Sequence, residues 1–346
     1  YNCNMLEARK DVSVKDLTSF KIGGKTKFFA VGRSVDDITE AVDLAKSTNT
    51  KLFVIGGGSN IIFSDEYLDL FILKLEMFGF DVIKDEEEFS LIKIGATENW
   101  DEIVKRSVEL GLSGIEAMSA IPGTVGATPV QNVGAYGQEI KDTLVEVQVF
   151  DTTDKSVKAL SNADCGFKYR DSIFKSEEKG RYIILNVTLK LSKLRPGVPE
   201  YPGVQKYFSE SGIDKPSLVD IRNAIIDIRK SKLPDPSIVP NCGSFFENPI
   251  IDRVLVQGIK EKFPDMKYFE LADSRIKVPA GWLIEKAGFK GQLIGNGKIK
   301  VHQDNALVLT NNGEATFSDL LSAKEEIIGK VKEMFGIELE MEPNVI

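Results

Sequence analysis

Ser244 stands between Gly243 and the pair Phe245-Phe246. A serine hydroxyl is a poor acid in water. In a dry pocket beside two phenylalanines its proton can be delivered without competition from solvent. The alternative is an ordinary capping serine in a loop. Just upstream, Arg229-Lys230-Ser231-Lys232-Leu233-Pro234-Asp235-Pro236 is a basic, proline-bounded loop that suits a diphosphate. Farther upstream, Tyr169-Arg170-Asp171-Ser172 offers an arginine able to grip a carboxylate through two parallel hydrogen bonds, or simply to join a surface ion pair.

Two glycine-rich clusters precede these. Gly56-Gly57-Gly58-Ser59-Asn60 directly follows a predicted strand at 51–55. Its glycines let backbone N–H groups approach an anion, and Ser59 and Asn60 add side-chain donors. The alternative is a plain strand-to-turn connection. The second cluster is Ile121-Pro122-Gly123-Thr124-Val125-Gly126-Ala127, followed by Gln131-Asn132-Val133-Gly134-Ala135-Tyr136-Gly137. Nearly uncharged and poor in helix or strand character, it suits a backbone wrapped around a cofactor pyrophosphate and ring. A buried glycine-rich crossover is the alternative, and the two clusters together favour a cofactor.

Alternating helix and strand patterns must position these residues. Helices are expected at 34–46, 100–110, 217–230, 279–287 and 318–335, with a capping box at Ser34/Asp37 and a second at Ser217/Asp220. Strands are expected at 51–55, 70–75, 91–96, 144–150, 182–191 and 306–309, with a solvated acidic turn at 85–88. A Pro-rich loop around Tyr201 separates the last long strand from the helix at 217–230, and the prolines at 234–240 mark a domain boundary. The mixture gives α/β or α+β, with strand order open. At ~150 residues per domain, 346 residues make about two domains, or three.

Composition excludes several function classes. With 44 Lys+Arg against 52 Asp+Glu the chain is acidic, so nucleic acid is not an expected partner. A single histidine, His302, removes almost every His-rich metal site, and no metal is expected; a structural or surface role suits it better. Cys3, Cys165 and Cys242 are scattered, which suits a reducing cytoplasm and no disulfide framework. No apolar run approaches the ~18 residues of a membrane span, and residues 1–10 lack the pattern of a signal peptide. No membrane partner is expected. The P-loop, the G-x-G-x-x-G fingerprint and the G-x-S-x-G elbow are all missing.

The four clusters, in this order and spacing, resemble the UDP-N-acetylenolpyruvoylglucosamine reductase family. These flavoprotein oxidoreductases complete UDP-N-acetylmuramate for peptidoglycan, and so serve cell wall, cell shape and cell division. The resemblance runs from about Thr18 to the C-terminus and takes in the segments 280–285 and 302–308. It implies an α+β chain. An FAD-binding fold of the vanillyl-alcohol oxidase type would occupy two subdomains, 1–75 and 76–230. A separate α+β substrate-binding domain would follow at 231–330, and the tail 331–346 would return to the first subdomain. The Pro-rich segment 193–208 resembles the mobile tyrosine loop of one branch of the family.

The resemblance also implies roles. Ser244 is the proton donor, Arg170 holds the substrate carboxylate, and a glutamate in the tail completes the catalytic set. Glu342 is selected by alignment of Gly336 and Leu339, with Glu340 as the second choice because Asn344 departs from the family's basic residue. FAD, held noncovalently, is expected at Gly56, Gly57, Gly58, Ser59, Asn60, Ile121, Pro122, Gly123, Thr124, Gly126, Ala127, Asn132, Gly134, Ala135, Tyr136 and Gly137, with Arg229 near its phosphates. Tyr169, Tyr201, Lys232 and Asn248 are the implied contacts to UDP-N-acetylglucosamine enolpyruvate. NADPH is the implied co-substrate, and a cytoplasmic monomer is expected. A flavoprotein alcohol oxidase of the same fold and a non-catalytic sugar-nucleotide binding module are the rival readings.

Overall fold

The computed structural model describes residues 6–271 and 275–346. Cys3 therefore lies outside the described residues. The chain divides into two compact units. One comprises residues up to Val12, Thr26–Gly57 and Leu68–Arg229; the other comprises Ser13–Lys25, Gly58–Tyr67 and Lys230–Ile346.

The first unit holds two large sheets. A four-stranded sheet has the order Arg9–Ser13, Lys25–Gly32, Tyr67–Leu75, Lys51–Ile55, and its last two strands run parallel. Helix α1 (Val35–Ser47) covers it, buries Ile38, Ala41 and Ala45, and opens with the expected Ser34/Asp37 capping box. An antiparallel sheet has the order Ser156–Ser161, Leu144–Asp151, Tyr182–Ser192, Phe89–Gly95, Phe80–Asp85. Its core gathers Ile92, Ile94, Val147, Val187 and Leu189 against Trp100 and Ile103 of α2 (Trp100–Glu109). The edge strand Phe80–Asp85 was not expected, because its exposed, charged residues lack the alternation of a half-buried strand.

Helices α3 (Pro202–Ser211) and α4 (Leu218–Lys230) form a separate cluster through Val204, Phe208, Ile221 and Ile225. The segment expected to be a Pro-rich loop is thus helical in its second half: Pro202 sits in the first turn, where a missing N–H costs nothing, and Tyr201 is the N-cap. The Ser217/Asp220 box opens α4 as expected, with reciprocal bonds of 3.2 and 2.8 Å.

In the second unit an antiparallel sheet has the order Asn241–Ser244, Val308–Asn311, Ile299–Val301, Leu293–Ile294. The strand expected at 306–309 begins two residues later, because Asn305 and Leu307 make a turn first: the side chain of Asn305 accepts from Leu307 N–H at 3.1 Å. A large core joins this sheet to α5 (Arg253–Lys262), α6 (Ala280–Lys286) and α7 (Phe317–Phe335). The tail strand Asn344–Val345 pairs in parallel with Ile61–Ile62. Among the described residues, no helix is long and apolar enough to cross a membrane.

Candidate active site

In the first unit the two glycine clusters lie against each other. A β-carbon on Gly56 would come within 2.6 Å of Thr124 Oγ1, one on Gly57 within 3.1 Å of Gly123 Cα, and one on Gly126 within 2.7 Å of Ala96 Cβ. The first demand on Gly56 and Gly57 is therefore close approach of one loop to the other, and on Gly126 close approach to Ala96. The N–H groups of Gly57, Gly123 and Thr124 donate to no group among the described residues, whereas those of Val125, Gly126 and Ala127 are bonded within the protein. A short 3-10 turn, Val125–Ala127, is the only regular structure in this part of the loop. Adjacent unengaged donors on partly exposed backbone are what a dinucleotide phosphate requires, so these residues fit FAD.

The following segment folds on itself. Gly134–Ala135 pairs with Gln138–Glu139 across Tyr136 and Gly137, whose φ values of +51° and +93° suit a tight primed turn. Asn132 is fully buried at φ +46°. Its amide donates to Glu139 at 3.0 Å and to the Lys168 carbonyl at 3.1 Å, and its Oδ1 accepts from Lys141 N–H at 3.3 Å. It organises the loop through these bonds. Arg170, at φ +53°, donates from Nη2 to the Gly134 carbonyl at 3.3 Å and lies 5.3 Å from the ring centre of Tyr169.

Tyr136 is the hub of this region. Its ring meets Tyr201 edge-on at 5.1 Å, and the charge of the Arg229 guanidinium acts on its hydroxyl. Burial pushes the Tyr136 pKa up, against the charge of Arg229; burial likewise lowers that of Arg229, against Tyr136 and Asp101. Arg229 also donates from Nε to the Ala120 carbonyl at 3.2 Å. Arg170, Tyr136, Tyr201 and Arg229, distant in sequence, are thus gathered around one hairpin.

In the second unit Ser244 ends its strand just after Gly243, which takes φ +76°. Phe245 and Phe246 are fully buried, their rings 5.0 Å apart. The tail runs beside them: Glu342 N–H donates to the Phe245 carbonyl at 3.0 Å, and Glu247 N–H to the Glu340 carbonyl at 2.9 Å. Glu342 is half-buried and Glu340 exposed. Burial, and then the charge of Glu342, raise the pKa of the Cys242 thiol. Asn60 donates from Nδ2 to the Glu342 carbonyl at 3.4 Å, and its own carbonyl accepts from Asn344 N–H at 3.0 Å. Gly58 belongs here too: a β-carbon there would strike the Leu17 carbonyl at 1.9 Å. Ser59 accepts from Ser19 Oγ at 3.4 Å through its main-chain oxygen.

Asn248 accepts from Ala280 N–H at 2.9 Å, so its Oδ1 caps the start of α6, and Lys232 is exposed. His302 accepts from Asp304 N–H at 3.3 Å through Nδ1, a turn-closing role. Cys165 is buried, and desolvation, helped by Asp164, pushes its thiol up to about 12, so it is inert at neutral pH. Sequence reasoning missed Asp101 and Arg222, which pair through two bonds of 2.7 and 2.9 Å. An acidic first turn in α2 and an arginine on α4 were visible, but nothing local joins them.

Residues 26–159, which contain both glycine loops, match the FAD binding domain family. Residues 235–346, which contain Ser244, Asn248 and Glu342, match the C-terminal domain of UDP-N-acetylenolpyruvoylglucosamine reductase. The UDP-N-acetylenolpyruvoylglucosamine reductase of Flavobacterium johnsoniae is 41% identical over 99% of this chain and 100% of its own. The chain belongs to the UDP-N-acetylenolpyruvoylglucosamine reductase family. The reductase of Pseudomonas aeruginosa is 39% identical over 98% of this chain and 99% of its own. The crystal structure of the reductase from Thermus caldophilus superposes with a TM-score of 0.69 over 99% of both chains at 23% identity, which establishes a shared fold. The fold class is as the reductase resemblance implied: α+β, an FAD-binding part and a family-specific C-terminal part.

Proposed function

We propose how this FAD-dependent reductase divides its labour when it reduces the enolpyruvyl group of UDP-N-acetylglucosamine enolpyruvate to give UDP-N-acetylmuramate. The chemistry that FAD supplies when bound is hydride transfer from NADPH to the enolpyruvyl double bond. The loops at Gly56-Gly57 and 121–127 hold its phosphates through their unengaged N–H groups, with Arg229 adding charge. Neither loop contains a histidine, so the flavin is held noncovalently.

Hydride addition drives electron density toward the substrate carboxylate, so cations must stabilise an enediolate-like intermediate and an acid must protonate the neighbouring carbon. Arg170, already fixed over the hairpin by Gly134, holds the carboxylate. Ser244 gives the proton, and Glu342 orients or polarises its hydroxyl. Burial of Phe245 and Phe246 keeps the proton donor's surroundings dry. Tyr169, Tyr201, Lys232 and Asn248 contact the nucleotide sugar, Asn248 through its amide, since its Oδ1 is spent on α6. The division into subdomains 1–75 and 76–230 and a substrate domain at 231–330, the closing motion of 193–208, a monomeric state and a cytoplasmic location belong to the same reading. Buried, unpaired Cys165 and Cys242 support that location.

The observation that carries the assignment of roles is the tail segment beside Ser244, where Glu342 bonds the Phe245 backbone and Glu340 pairs two residues farther on, at Glu247. The direct test is an anaerobic visible spectrum of the purified chain. The yellow colour should bleach with NADPH and return only when the enolpyruvyl substrate is added. Return of colour with air alone and no response to the substrate would instead identify an oxidase.

A further inference from the structure

Asp101 and Arg222 belong to none of the four clusters, yet they hold the turn that opens the second glycine loop. Asp101 lies in the first turn of α2 and Arg222 in the second turn of α4, and the Arg222 side chain is only 11% exposed. Two parallel charge-assisted bonds, Nη1 to Oδ1 at 2.7 Å and Nη2 to Oδ2 at 2.9 Å, join them. The same Oδ1 accepts the backbone N–H of Ala120 at 2.5 Å. Ala120 takes φ +58°, a left-handed conformation that an alanine adopts only when something holds it there. Its carbonyl then receives Nε of Arg229, whose charge acts on Tyr136, whose ring meets Tyr201 edge-on. Burial of Asp101 favours the neutral acid; the bonds from Arg222 and Ala120 and the charge of Arg229 outweigh it and keep the carboxylate ionised.

We propose that Asp101, clamped by Arg222, is a positioning residue for the flavin site: it fixes the left-handed turn at Ala120 and, through the Ala120 carbonyl, the aim of Arg229. The inference rests on the reading that the 121–137 segment and Arg229 hold FAD. Arg229 spends its Nε–H on Ala120, which leaves the donors of its terminal nitrogens for a phosphate. Without the carboxylate, the alanine turn relaxes toward right-handed backbone, the Ala120 carbonyl swings away, and Arg229 loses its anchor before any ligand arrives.

The test is FAD titration of the full-length chain, followed by flavin fluorescence and visible absorption, with thermal unfolding measured beside it. Asp101→Asn keeps the shape but gives up the charge pair, and its expected effect is roughly tenfold or more weaker FAD binding, the equivalent of one charge-assisted hydrogen bond. A bound-flavin spectrum shifted from that of the unaltered chain is expected as well, at temperatures where the variant is fully folded. Adding Ala120→Gly should recover part of the lost affinity, because glycine takes the left-handed turn without help. A lower unfolding temperature with unchanged FAD affinity and spectrum would mean a structural role only and overturn the inference. If Asp101→Asn does not fold, Arg222→Lys, which keeps the charge but not the parallel pair, takes its place, and unchanged affinity there overturns it equally. If the unaltered chain takes up no FAD, the cofactor reading fails and this inference with it; uptake by the unaltered chain with equal uptake by the variant sinks this inference alone.

Discussion

The two units build their functional residues in different ways. Around the glycine loops, Ala120, Asn132, Tyr136 and Arg170 all take positive φ between +46° and +58° without being glycine. Such a residue costs about 1–2 kcal/mol, less for asparagine; Asp101 holds Ala120, Lys175 holds the Arg170 carbonyl, and Asn132 is tied by its own amide. Around Ser244, by contrast, the short strand breaks register between Asn241 and Ser244, its positive φ falls on Gly243, where it costs little, and backbone bonds from Glu342 to Phe245 and from Glu247 to Glu340 hold the tail beside it. The difference teaches where each region is vulnerable. A loop-built binding site depends on residues that never touch the ligand, whereas a strand-built site depends on the reacting side chains themselves.

Substitutions that separate chemistry from binding sharpen this contrast. Ser244→Ala should leave NADPH-driven bleaching of the flavin and FAD affinity unchanged, while stopped-flow reoxidation by the enolpyruvyl substrate slows by about 10²–10⁴-fold. Loss of FAD from that variant would break the contrast outright. Glu342→Gln should slow the same half-reaction by roughly a hundredfold, and Glu340→Gln should stay near the unaltered rate. The reverse ranking would move the catalytic role to Glu340.

Gly126→Ala is the counterpart in the loop region. Its new methyl would lie 2.7 Å from Ala96 Cβ and 3.1 Å from the Ala96 carbonyl. The expected cost is about 1–3 kcal/mol of stability, read by denaturant unfolding, with weaker FAD uptake. An unaffected midpoint would show that the 121–127 loop can yield at Ala96 without cost.

Acid titration gives a smaller effect. The Asp101 pKa is depressed in the folded chain, so the pair with Arg222 stabilises fully above the unfolded carboxylate value of about 3.9 and loses that contribution as pH falls through the lower folded value. Asp101 is not fully sheltered, so the contribution is discounted to about 1–2 kcal/mol. Unfolding of the parent and of Asp101→Asn should therefore differ at pH 7 and converge only as pH falls below the depressed folded value, since protonation removes the same charge. The smallest change is expected from Tyr201→Phe, which keeps the edge-on contact with Tyr136 and removes only the hydroxyl. A severalfold rise in KM for the nucleotide sugar with kcat nearly intact would fit loss of uniform binding.

Much of this was legible in the residue order. The Ser34/Asp37 and Ser217/Asp220 boxes, the amphipathic helices and the strand before Gly56 are local signals, set by atoms a few residues apart. The glycine clusters and the run around Ser244 were also visible, because few chains place such residues together without a ligand. What the sequence could not show was who holds whom. Asp101 and Arg222 are 121 residues apart, and Asn60 reaches Glu342 over 282. The half-helical character of 193–208 and the edge strand at Phe80–Asp85 likewise followed only from packing and strand pairing. Propensity and spacing act within a turn or two of backbone. A bidentate ion pair, a carbonyl that aims an arginine, and the register of a tail strand depend on chain closure over hundreds of residues, which only the tertiary structure decides.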